Sequence, residues 1–139
     1  MKVTRFAMTG LCLVATTLAV SGCARQGTWS GVFAVDLQGQ ARTCVAPATS
    51  PPDGQMVQAQ VQVSNEGGWC GITANRGGAP FEAYLLVNRP QHGRVFAHRV
   101  GANTRIDYTP NTGFTGADSF AVRVIPGNAV IQGAVTVAR

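Results

Sequence analysis

The chain has 139 residues, of which 45% are hydrophobic and 12% charged, and its formal net charge is +5. This length accommodates one domain, and the composition is that of a folded globule, which excludes an intrinsically disordered chain. No basic run is interleaved with aromatic residues, so nucleic-acid binding has little support.

Residues 1–22 have the layout of a secretory signal peptide. Two cations, Lys2 and Arg5, precede an apolar stretch from Phe6 to Val20. That stretch is shorter than the roughly 20 apolar residues that a membrane-spanning helix needs. We therefore expect export and removal of the leader, which leaves nine arginines against six acidic residues and no lysine.

The leader ends in Val20-Ser21-Gly22-Cys23, which resembles the lipobox of bacterial lipoproteins. The resemblance implies cleavage before Cys23, acylation of its thiol, and a short tether at residues 23–28. Ala24 follows where an aspartate would favour the inner membrane, so we expect a lipid anchor in the outer membrane of the bacterial envelope. The alternative is an ordinary secretory signal whose cleavage site includes a cysteine.

Residues 29–54 form the N-terminal part of the mature chain. Two strand-like pieces between Trp29 and Val45, separated by a turn at Leu37–Gln40, predict an extra N-terminal hairpin. Three prolines between Ala46 and Gly54 exclude a helix and mark a loop.

Two cysteines, Cys44 and Cys70, remain once Cys12 leaves with the leader and Cys23 carries lipid. Because exported proteins mature in an oxidising compartment, we predict a Cys44–Cys70 disulfide. A metal or redox pair is the alternative, and the absence of a CxxC motif argues against it.

Residues 55–139 contain seven further strand candidates. Gln55–Val63 alternates polar and apolar residues, which is the period of a half-buried strand. Short strands separated by Gly- and Pro-containing turns are typical of a β-sandwich or barrel. The other candidates are Trp69–Ala74, Glu82–Asn88, Arg94–Val100, Thr104–Tyr108, Ser119–Ile125 and Ala129–Val137.

The stretch from Tyr108 to Phe120 predicts a sharp corner between two strands. Pro110 should end one strand, because proline lacks the N–H that a ladder requires. Gly113 and Gly116 can take positive φ on either side of Phe114, which would let its ring close the end of the core. Asp118 can accept hydrogen bonds from backbone amides and lock the corner.

Together with Pro90-Gln91-His92-Gly93, this stretch resembles bacterial Ig-like and cadherin-like domains of surface proteins. The resemblance covers residues 55–139. It implies an all-β fold, a single Ig-like antiparallel sandwich of about seven strands, in which Pro90, Gly93, Tyr108, Pro110, Phe114, Gly116, Asp118 and Phe120 are structural turn residues.

No cofactor, metal site or catalytic group is predicted. The six carboxylates are scattered and lack the spacing of a calcium loop. No G-x-S-x-G, P-loop or H-E-x-x-H motif occurs. His92 lies in a turn and His98 in a strand, and for each we favour a structural role.

The candidate binding residues are Arg89, Arg94, Arg99 and Arg105, which fall on one predicted hairpin. Strand alternation divides these cations between two faces, so a merely solvated surface is the stronger interpretation. Addition of a partner strand to an exposed sheet edge is a second route to binding.

These patterns predict a non-catalytic, lipid-anchored envelope protein with an Ig-like module for binding or structural support. A periplasmic accessory protein or inhibitor of an envelope enzyme is the alternative. The expected partners are the membrane, through the lipid, and an envelope protein or glycan. The sequence leaves the oligomeric state open.

Overall fold

The computed structural model describes residues 33–139, in which nine strands form two packed sheets. The strands in chain order are β1 (Cys44–Val45), β2 (Ala48–Thr49), β3 (Met56–Ser64), β4 (Cys70–Ala74), β5 (Ala83–Asn88), β6 (Gly93–Val100), β7 (Asn103–Pro110), β8 (Gly116–Ile125) and β9 (Ala129–Ala138). The five-stranded sheet has the order β1-β3-β9-β8-β5, and the four-stranded sheet has the order β2-β4-β7-β6. The predicted all-β sandwich is confirmed.

All seven strands predicted between residues 55 and 139 are present as β3 to β9. In β3 the period of two buries Ala59, Val61 and Val63 and exposes the glutamines between them. The same alternation buries Phe120, Val122 and Val124 in β8. The side-chain period therefore predicted both the strands and the faces that they bury.

The N-terminal hairpin is not formed within the described part of the chain. Ala34–Leu37 is a turn of 3-10 helix, and β1 and β2 pair with β3 and β4 in different sheets. The 3-10 turn occupies the end of the first predicted piece, and the second predicted piece contributes Cys44 and Val45 to β1, which pairs with β3 instead. The division of the chain at residue 54 stays a prediction, although both short strands N-terminal to it belong to the sandwich.

Two of the strand pairs are parallel, so the sandwich is mixed and not wholly antiparallel. The pairs are β3 with β9 and β2 with β4. A short turn forces neighbouring strands to be antiparallel, but neither of these pairs is joined by one. The turn signals in the sequence therefore carried no information about their direction.

The disulfide joins the two sheets. Cys44 and Cys70 are bonded, with their Cα atoms 5.2 Å apart, and they lie on β1 and β4. This confirms the predicted pairing. Between the sheets the core is built mainly from β-branched residues, and its largest fully buried side chains are Tyr108 and Phe120.

Candidate functional site

Asp118 holds the predicted corner together. Its carboxylate accepts hydrogen bonds from the backbone N–H groups of Gln91 (3.0 Å) and His92 (2.8 Å) and from the hydroxyl of Tyr108 (2.9 Å). The sequence predicted backbone partners near Asp118, but two of the amides belong to the β5–β6 loop. The carboxylate therefore pins one connection of the sandwich to another.

Burial and these hydrogen bonds set the proton affinities at the corner. Burial, followed by the bond to the Asp118 carboxylate, raises the pKa of Tyr108 well above its ordinary value. Burial would also raise the pKa of Asp118, but hydrogen bonds from Gln91, His92, Ser119 and Tyr108 outweigh it and lower that pKa on balance. The pair is thus a neutral phenol donating to a carboxylate at neutral pH.

The other turn residues pack around this bond. Phe114 stacks on His92 with ring centroids 4.2 Å apart, between Gly113 and Gly116, which both have positive φ. At Gly93 a Cβ would lie 2.5 Å from the Tyr108 ring, so this position requires glycine for close packing. Pro90 lies in the β5–β6 loop and Pro110 is the last residue of β7, and the structural role of these turn residues stays a prediction.

A second polar cluster lies on the outer face of the four-stranded sheet. The Asp107 carboxylate is only 8% exposed. It accepts bonds from Nε (2.8 Å) and Nη2 (3.1 Å) of Arg105, and Nε2 of His98 lies 2.9 Å from its Oδ2. The Arg105 guanidinium also stacks 3.8 Å above the Trp69 ring. The charged side chain of Arg105 therefore has its ion-pair partner, Asp107, within the cluster.

This cluster holds the N-terminal segment, residues 33–41, against the four-stranded sheet, and we call these contacts the N-terminal clamp. The Trp69 indole N–H donates to the Gln38 carbonyl (2.9 Å), and Arg105 donates to the Asp36 carbonyl. A cavity of about 130 Å³ lies beneath the segment, lined by residues that include Leu37 and Trp69. Sequence reasoning missed Trp69 and Asp107, although residues 105 and 107 share one face by alternation.

A family comparison identifies the fold. The family model described as "Bacterial Ig domain" matches residues 32–138. The chain belongs to the bacterial Ig domain family. Bacterial Ig domains are non-catalytic, and this membership together with the disulfide indicates an extracellular or envelope protein.

Comparisons with curated proteins and with solved structures identify no further family for this Ig domain. No curated protein matches the chain. Among solved structures, it is similar to the cysteine protease inhibitor EhICP2 from Entamoeba histolytica, with 9% identity and a TM-score of 0.32, over 66% of this chain and 96% of that one. No helix within residues 33–139 has the length and apolarity to cross a membrane.

The charges of the Ig domain are distributed unevenly. Five of its six carboxylates form ion pairs or accept hydrogen bonds within the domain, and Glu82 is the exception. Among residues 33–139, five arginines have no ion-pair partner. Four of these lie on β6, on β8 or in the loop between β5 and β6, and the fifth is the C-terminal residue: Arg89, Arg94, Arg99, Arg123 and Arg139.

An apolar surface, here called the β5–β6 side, consists of the two edge strands β5 and β6. Arg94 and Arg99 lie on β6, Arg89 lies in the loop that joins the two strands, and Arg123 lies on β8 next to β5. Every residue of β5 is exposed, and Phe96 on β6 is 64% exposed. Between the two strands opens a cavity of about 240 Å³, lined by Tyr84, Leu86, Val95, Phe96, Ala97 and Val122. Exposed apolar side chains and arginines without an ion-pair partner therefore occur on or next to the same two edge strands.

The four arginines that the sequence predicted as binding residues, Arg89, Arg94, Arg99 and Arg105, have different surroundings. Arg105 is half-buried in the Asp107 cluster, where it already pairs with Asp107 and stacks on Trp69. Arg94 is exposed on β6, Arg99 lies near its far end, and Arg89 lies in the preceding loop. Arg123 joins them from β8, opposite Leu85. Their role in binding stays a prediction, and Arg123 had no signal in the sequence because β5 and β8 are distant along the chain.

Within residues 33–139 no three side chains of His, Cys, Asp and Glu form a group suited to a metal ion. Cys23 and the rest of the leader and tether lie outside the described residues. Chemically, the domain offers an apolar cleft, free strand edges and guanidinium groups. These groups suit noncovalent recognition of a partner.

Proposed function

We propose that this protein is a non-catalytic lipoprotein of the bacterial envelope that binds an envelope component through the β5–β6 side. The observation that carries the proposal is the coincidence of unpaired arginines with an exposed apolar strand edge. Exposed apolar surface in contiguous patches is typical of interaction sites, and surrounding charge assists association.

The lipobox-like sequence that ends at Cys23 supports a lipid anchor. The N-terminal clamp on residues 33–41 limits the length of chain between that lipid and the Ig domain. Only ten residues, 23–32, would separate the lipid from the clamped segment. Ten extended residues span at most about 35 Å. A lipid on Cys23 would therefore keep the Ig domain close to the membrane, where its partner would be an envelope protein or glycan.

The anchor is tested by substitution of Cys23. In cells expressing the full chain, Cys23→Ser should abolish labelling by a fatty-acid analogue and move the protein out of the membrane fraction. Cys12→Ser, which alters the leader and spares the lipobox, is the matched control and should label normally. Membrane retention of Cys23→Ser at the level of the control would refute the anchor.

The binding surface is tested by photo-crosslinking in living cells. A photoreactive amino acid at Leu85 should capture one discrete component, whereas the same amino acid at Gln60 should not. Gln60 is exposed on the same sheet but lies on β3, three strands away from β5. Equal capture at both positions, or none at Leu85, would refute the proposed surface.

The captured component also decides between the two functions. A structural envelope protein or glycan would support the binding or supporting module. A stoichiometric envelope enzyme whose activity falls on binding would support the accessory or inhibitor alternative.

A further inference from the structure

The four edges of the two sheets are protected to different degrees. Edge strands β1 and β2 have only two residues each. Edge strand β6 has eight residues and carries Arg94, His98 and Arg99. Short length and charged side chains are the usual means of preventing an edge from pairing with another chain.

Edge strand β5 has neither protection. Its six residues, Ala83–Asn88, include no charged side chain and no proline, and all are exposed. One irregularity, between Leu86 and Asn88, interrupts its pairing with β8. The other side of β5 leaves backbone N–H and C=O groups without a strand partner in the described part of the chain.

Side chains of β5 divide between two environments. Tyr84 and Leu86 are paired with the buried residues Val124 and Val122, so they point toward the cavity between the sheets. Leu85 is paired with Arg123, so both project from the outer face of the five-stranded sheet. A strand added to β5 would continue this alternation, with every second side chain in the apolar cleft.

We propose that β5 binds an extended peptide segment of another envelope protein by strand addition, with apolar side chains in the cleft and carboxylates on the outer face. This inference rests on the proposed function and names the chemistry of its partner. Backbone hydrogen bonds to β5 supply the pairing, and the alternating side chains supply specificity.

Charge complementarity is the reason why we expect the bound segment to carry carboxylates on its outward face. Arg123 projects from the outer face of the five-stranded sheet beside β5, and it has no acidic partner within residues 33–139. A segment paired with β5 that carries acidic outward side chains would place its carboxylates on the same face as this guanidinium group. A second copy of this chain paired through β5 would instead bring a second Arg123 to that face, and like charges repel.

The test uses protein expressed from the full-length sequence and purified from the envelope. The probe is a capped, fluorescent eight-residue peptide of alternating valine and glutamate, followed by fluorescence anisotropy. The matched probe replaces glutamate with lysine and keeps the same alternation. We expect the acidic peptide to bind and the basic peptide to bind at least about tenfold more weakly at low salt.

Backbone methylation distinguishes strand addition from general attraction of charges. In one peptide every valine nitrogen is methylated, and in a second every glutamate nitrogen. Because alternate N–H groups of a strand point to opposite edges, only one of these peptides should lose binding, by at least about tenfold. Equal affinity of both methylated peptides would overturn strand addition.

Charge variants locate the site. Arg123→Gln should weaken binding of the acidic peptide by about two- to fivefold, as expected for an exposed ion pair. Arg42→Gln removes the same charge beside β1 at the opposite sheet edge and should leave the affinity unchanged. Equal effects of the two substitutions would overturn the placement at β5.

The remaining outcomes are also decisive. Absence of binding at about 1 mM peptide, or a dimer whose formation blocks the peptide, would overturn the proposed partner. Capture of a component from Leu85 in cells would still support the proposed function in that case. If the photoreactive amino acid at position 85 captured no component in cells, the proposed function itself would be refuted.

Discussion

The hydroxyl of Tyr108 donates a hydrogen bond of 2.9 Å to the carboxylate of Asp118, ten residues later in the chain. The same carboxylate accepts bonds from the backbone of Gln91 and His92. This one pair therefore fastens the β5–β6 loop and the β7–β8 corner at the same end of the core, beside the arginine of that loop.

Removal of the phenol oxygen should destabilise the domain. Tyr108→Phe leaves the buried ring in place and deletes the bond to a charged acceptor, and bonds of this kind contribute about 1.5–3 kcal/mol. We expect the free energy of unfolding in urea to fall by about that amount. Tyr84→Phe, on the exposed strand β5, is the control and should be neutral. Equal stability of the Tyr108→Phe variant and the wild type would contradict the role of the bond.

The Asp118 carboxylate should make stability depend on pH. Its pKa in the folded state lies below the unfolded value of 3.8. The carboxylate therefore stabilises the fold at pH values above 3.8, and this contribution disappears as the pH falls through the folded pKa. Unfolding curves of wild type and Asp118→Asn should differ most near neutral pH and converge in acid. A difference that is independent of pH would show that charge is not involved.

Reduction of the Cys44–Cys70 disulfide should lower the free energy of unfolding by about 3 kcal/mol. The bond closes a loop of 26 residues, and the chain-entropy relation assigns about this stabilisation to a loop of that length. Urea titrations with and without reductant measure the difference. The Cys44→Ser/Cys70→Ser double variant should show no response to reductant. A wild type that is equally insensitive would contradict the contribution of the bond.

Loss of the Arg105 guanidinium should release the N-terminal clamp. Arg105→Gln leaves the buried Asp107 carboxylate without its main partner, and breaking such a pair costs about 3–5 kcal/mol. Limited proteolysis between residues 33 and 41 should accelerate. The exposed Arg123→Gln is the matched control and should be cleaved at the wild-type rate. Unchanged cleavage of Arg105→Gln would mean that other contacts hold the segment.

Close packing at Gly133 should make a single methyl group unfavourable. A Cβ at this position would lie 2.5 Å from the Phe120 ring. Gly133→Ala should therefore destabilise the domain by about 1–3 kcal/mol. Phe120→Leu removes the opposing ring edge, so the double variant should lose less stability than the sum of the single variants. Strict additivity of the two effects would contradict the contact.

Local signals predicted the strands β3 to β9 and the corner. The alternation in residues 55–63 and 119–125 depends only on side-chain period, and the Gly113, Gly116 and Pro110 signals depend only on backbone restrictions. The disulfide followed from the small number of cysteines in an exported chain. All of these properties reside in short stretches of sequence.

The surroundings of the candidate binding residues could not be predicted from such local signals. Arg105 belonged by its position to the same hairpin as Arg94, but its neighbours Trp69 and Asp107 fix it in an internal cluster. Arg123 becomes relevant because β8 pairs with β5. Both outcomes depend on contacts between strands that are far apart in sequence.

The sequence by itself determined the all-β class, the faces of the strands, the corner and the cysteine pair, because periodicity, backbone restrictions and composition act locally. Tertiary structure alone decided the parallel pairing of β3 with β9, the clamp on residues 33–41 and the position of β5 as an unprotected edge. The physical reason is that strand order and edge exposure arise from long-range pairing, for which no short segment carries a signal.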